Sequence, residues 1–64
     1  MKKTEKNIRS HASKFAEDGT VVGEYKAGRL SHIADLLAKD LITGREAARA
    51  ANSVINEYVQ VMSI

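Results

Sequence analysis

From Gly44 to Ser63 the sequence predicts one helix with two cleanly divided faces. At helical spacing Ala47, Ala48, Ala50, Ala51, Val54, Ile55, Tyr58, Val59, Val61 and Met62 fill one half of the circle. Arg45, Glu46, Arg49, Asn52, Ser53, Asn56, Glu57, Gln60 and Ser63 fill the other half. A helix of a small monomer needs an apolar stripe only a little over 100° wide. A face of about 180° is more than one neighbouring helix covers, so self-association as a symmetric homodimer is expected.

The size of the chain points the same way. A domain of 64 residues buries only about 60% of the surface its unfolded chain exposes, and such domains lean on disulfides, metals or oligomerisation. The chain has no cysteine, and its two histidines stand 21 positions apart, so no disulfide and no metal site are expected. No apolar run follows the basic start Met1-Lys2-Lys3, and no stretch has the length of a membrane span. A single cytoplasmic domain, with no membrane partner, is the expectation.

The expected fold is mainly α. Residues 4–17 predict a first helix with Ile8, Ala12 and Phe15 on a narrow stripe, Thr4 as its cap and Gly19 as its stop. Residues 20–26, Thr-Val-Val-Gly-Glu-Tyr-Lys, have strand character weakened by Gly23 and read as a short strand or a loop. A second helix is expected from Ser31 to Leu41, or from near Glu24 if Gly28 is tolerated inside it at a cost of about 1 kcal/mol. Thr43 followed by Glu46 is a capping box, with Ile42 and Ala47 at the staple positions. The expected organisation is a basic helix or arm over 1–19, a strand or loop over 20–30 and a helical hairpin over 31–64. Ile33, Leu37, Leu41, Val54, Ile55, Tyr58 and Met62 are the expected core or dimer residues.

Charge is distributed unevenly. Residues 1–16 carry +4 from Lys2, Lys3, Lys6, Arg9 and Lys14 against Glu5, whereas residues 17–25 carry −3. A basic amino-terminal arm on a near-neutral body suits contact with nucleic acid. His11 and His32 have no nucleophile or oxyanion pattern beside them, and the glycines at 19, 23 and 28 fit no phosphate or dinucleotide loop. No enzyme activity and no cofactor are expected.

From Thr20 onward the expected order of strand, helix, short turn and longer helix is similar in layout to ribbon-helix-helix repressors, in which paired strands of a dimer enter the major groove. The likeness is carried by Ile42 to Ala51, which resembles the capped second helix of that family. Leu41 stands where that family has a glycine, and residues 20–26 offer Glu24 and a single basic residue, Lys26. A helix-turn-helix with the helix from Gly44 as reader is the other DNA-binding layout, with Arg45, Arg49 and Asn52 on its polar face. The expected function is therefore a small DNA-binding regulator acting as a dimer. Lys2, Lys3, Lys6, Arg9 and Lys14 would meet phosphates, with Lys26, Arg45 and Arg49 nearer the bases. The alternative is a non-enzymatic adaptor, inhibitor or assembly factor that lays its helical apolar surface on a protein partner.

Overall fold

A computed structural model describes residues 2–59 of the chain. They form three helices, α1 (Lys3–Glu17), α2 (Val21–Ala38) and α3 (Gly44–Asn56), and among the described residues there is no strand. Helix α1 begins one residue before Thr4, with an extended Lys2 at its start and no side-chain cap. It stops as expected at Gly19, whose φ of 72° takes the left-handed turn.

Residues 21–26 are helical, with Thr20 as the N-cap, which overturns the strand or loop expected there and with it the ribbon-helix-helix layout. The physical reason is a cap. Thr20 Oγ1 accepts a hydrogen bond from Gly23 N at 2.9 Å and donates to Asp18 Oδ2 at 3.0 Å. Once α2 starts at Val21, Gly23, Ala27, Leu30, Ala34 and Leu37 fall three or four residues apart on one buried face. Lys26 and Ile33 are buried at the edge of that face.

Two glycines of α2 behave oppositely. A Cβ placed on Gly23 would sit 2.5 Å from the Phe15 carbonyl oxygen, because the end of α1 presses on the start of α2. A Cβ on Gly28 would meet nothing within 4 Å. Gly23→Ala is therefore expected to destabilise the fold by about 1–3 kcal/mol. Gly28→Ala should stabilise it by about 0.5–1 kcal/mol. Thermal melts of the two variants, shifted in opposite directions from the parent, check both.

Helix α2 ends at Ala38, earlier than Leu41. Asp40, at φ 57°, takes the left-handed position. Leu41 N donates to Leu36 O and Asp40 N to Leu37 O, both at 3.0 Å, which closes a Schellman turn. That turn sends Leu41 outward, 67% exposed, and removes it from the expected core. The capping box then starts α3: Glu46 N donates to Thr43 Oγ1 at 3.1 Å, and Thr43 N donates to Glu46 Oε1 at 2.9 Å. Thr43→Ala is expected to cost about 0.5–2 kcal/mol, read as a lower midpoint in denaturant with an unchanged slope.

Arg9 on α1 reaches Asp35 on α2, and Arg29 on α2 reaches Glu57 beyond α3, so each successive pair of helices is antiparallel. Helices α1 and α3 consequently run parallel, with Thr4 beside Gly44 at their common start. Ile8, Ala12, Leu30, Ile33, Ala34, Leu37, Ala47, Ala51 and Val54 form the core, and Phe15, Ile42, Ala50 and Ile55 pack against it. The half-circle apolar face of α3 is shared between two neighbours within the chain. Ala50 flanks α2 beside Gly28 and Ile33, while Ala48, Ala51 and Ile55 flank Thr4, Ile8 and His11 of α1.

Helix α3 ends at Asn56, before the expected Ser63. Lys26 Nζ donates to Ile55 O at 2.8 Å, so a side chain from α2 takes up a carbonyl of the last turn. Glu57 is drawn to Arg29 at 2.7 Å. Tyr58, beyond this stop, is 87% exposed and lies outside the core of the chain. Met62 falls outside the described residues. No described helix is long and apolar enough to cross a membrane.

Candidate nucleic-acid interface

The eight basic side chains singled out from the sequence separate into two sets. Lys2, Arg9 and Lys26 are engaged within the fold. Lys2 Nζ pairs with Asp40, joining the start of α1 to the end of α2. Arg9 donates through Nε to Glu5 Oε2 at 3.0 Å and through Nη2 to Asp35 Oδ1 at 2.9 Å. These hydrogen bonds, that to Asp35 foremost, raise the pKa of the guanidinium above its usual value. Lys26 is only 8% exposed. Its ammonium lies 5.5 Å from the centre of the Phe15 ring while it holds the Ile55 carbonyl, so it ties the three helices together.

Lys3, Lys6, Lys14, Arg45 and Arg49 are exposed and make no ion pair among the described residues. Four of the five fall into two rows. On α1 the spacing i, i+4, i+7, i+11 brings Lys3, Asn7, Ser10 and Lys14 onto one line. On α3 the same spacing aligns Arg45, Arg49, Asn52 and Asn56. All eight of these residues are exposed. Because the two helices are parallel neighbours, the rows run side by side along a groove lined by Thr4, Asn7, Ile8, His11, Ala48, Ala51, Asn52 and Ile55. Lys6 stands on the outer shoulder of α1.

Neither row contains a carboxylate. The first acidic residue on the line of α1 is Glu17, almost one turn beyond Lys14, and Asp18 follows it near His11 and Phe15. Glu5 and Asp35 are spent on Arg9, Asp40 on Lys2, Glu57 on Arg29 and Glu46 on its cap. The start of the α1–α3 face is thus positive, and the amino end of α1, which has no side-chain cap, lies there as well.

The sequence pointed to four of these cations but not to their alignment. Asn7 and Ser10 on α1 and Asn56 on α3 complete the rows through the repeated 4-3-4 spacing in 3–14 and 45–56. His32 lies on the opposite side, in a groove between α2 and α3 with Arg29, Ile33, Ala50 and Ser53. Arg29 there donates to Tyr25 and Glu57, and the Tyr25 contact above all raises its pKa. Among the described residues no group of three histidine or acidic side chains is placed to hold a metal. Comparison with protein-family models, with curated proteins and with solved structures finds no match for this chain.

Proposed function

We propose that the protein is a small DNA-binding regulator whose α1–α3 face carries the nucleic acid. One observation supports this above all: two parallel rows of exposed cations and amides with no carboxylate in either row. A polyanion gains from such a face because each phosphate neutralised releases counterions. Lys2, Arg9 and Lys26, already committed to protein partners, contribute little to it. Titration of a mixed-sequence DNA duplex into labelled protein tests the proposal by NMR. Amide shifts should concentrate at Lys3, Asn7, Lys14, Arg45, Arg49 and Asn52. Shifts centred on Gly28, Arg29 and His32 would overturn it.

Action as a dimer belongs to the same proposal. The half-circle face of α3 no longer argues for it, since α1 and α2 share that face, so it rests on the exposed apolar side chains Val21, Tyr25 and Tyr58. Light scattering at tens of micromolar should give twice the 7.0 kDa chain mass; the single mass would remove the dimer. The same side chains favour the second function, a protein-binding adaptor, because Val21 at 69% and Tyr58 at 87% exposure are large apolar groups left in water. An adaptor would leave the NMR spectrum unchanged on addition of DNA.

A further inference from the structure

Resting on the proposal of DNA binding, we infer that α3 is the reading element. Its row enters the major groove and recognises guanine and adenine edges, while Lys3 and Lys14 of α1 hold the phosphates of one flanking strand. The two rows differ in chemistry. The charges on α1 are lysines, compact ammonium groups that meet phosphate as point charges. The row on α3 holds two arginines and two asparagines. A guanidinium pairs in bidentate fashion with O6 and N7 of guanine, and a carboxamide with N6 and N7 of adenine. None of these four side chains has a hydrogen-bond partner among the described residues, so all are available.

Dimensions select the same arrangement. The major groove of B-form DNA, about 12 Å wide, admits one helix. A packed neighbour lies about 8–10 Å to the side, over the sugar-phosphate ridge. The line of α1 runs on into Glu17, which a deep groove between phosphates would repel, whereas the acid that follows the α3 row, Glu57, is drawn away to Arg29. The narrow, deep major groove of duplex RNA excludes a helix, so the partner is DNA.

Selection from a random-sequence DNA duplex library, followed by anisotropy on the selected duplex, a scrambled duplex and an RNA duplex of the selected sequence, tests this. An enriched motif containing guanine and adenine is expected. The selected duplex should be favoured over the scrambled one and over the RNA duplex by about tenfold or more. Asn52→Ala and Arg49→Ala, both exposed and free to fold, should each cut that preference by roughly 5- to 150-fold or abolish it, according to how much of it each pair supplies. The double variant Lys3→Gln, Lys14→Gln should weaken all duplexes alike. Salt-dependent binding without an enriched motif, an RNA duplex bound as tightly, or a preference that survives both α3 variants would overturn the inference while DNA binding stands. No binding to any duplex at low salt would overturn both.

Discussion

Leu37→Ala is expected to cost about 2–5 kcal/mol. Leu37 is 1% exposed and belongs to the buried core cluster, so truncating it leaves a cavity there. At roughly 0.05–0.15 kcal/mol per residue, a chain of this length has only about 3–10 kcal/mol of stability in all. Neither a disulfide nor a described metal cluster adds to that. The variant should therefore melt at least about 10 °C lower or fail to fold at 37 °C. Leu30→Ala, equally enclosed, should behave alike. Ile55→Ala should cost less, because Ile55 is only partly buried. Leu41→Ala and Tyr58→Ala, at exposed sites, should fall within about 0.5 kcal/mol of the parent unless a partner covers them. Circular-dichroism melts of the five variants check the ranking. Equal losses at Leu37 and Leu41 would place the core elsewhere.

The second large effect concerns affinity. Neutralising the two rows together, with Lys3→Gln, Lys14→Gln, Arg45→Gln and Arg49→Gln, should lower DNA affinity on the order of 10³-fold at 0.1 M salt. Each contact contributes a factor of about 8 at that concentration relative to 1 M, and four multiply. The side chains are exposed, so the melting temperature should move little. Removing one charge on the other side, by Arg29→Gln, should leave DNA affinity nearly unchanged, although it breaks the bridge to Glu57. Anisotropy with a labelled duplex reads both variants.

Local signals in the sequence translated directly into structure. Thr43 and Glu46 form their reciprocal cap, Gly19 makes its left-handed stop, and Ile8, Ala12 and Phe15 face the core as their spacing requires. The start of α2 was concealed because two β-branched residues and two glycines all argue against a helix. What overrides them is a cap from Thr20 and the close approach of the Phe15 carbonyl to Gly23. Residue type alone placed Lys26 among the DNA contacts. It lies on the buried side of α2, and its long stem allows the ammonium to reach a carbonyl at the end of α3.

Of the apolar half-circle expected from Gly44 to Ser63, Ala47 to Ile55 lie on α3, which ends at Asn56, before Tyr58. Two helices of the same chain flank that stretch, an arrangement that becomes visible only when residues 21–30 are known to be helical. For the site, residue types gave four of the aligned cations. Their juxtaposition depended on α1 and α3 being parallel, which follows from α2 being a full helix between them.

The most direct measurement is the salt dependence of binding to a mixed-sequence DNA duplex, read by anisotropy between 50 and 200 mM salt. Four cations on the α1–α3 face should give log affinity against log salt a slope of roughly −3 to −4, and the four-fold neutral variant should bring it close to zero. A flat dependence in the parent protein, or no binding at the lowest salt, would contradict the assignment of that face to nucleic acid.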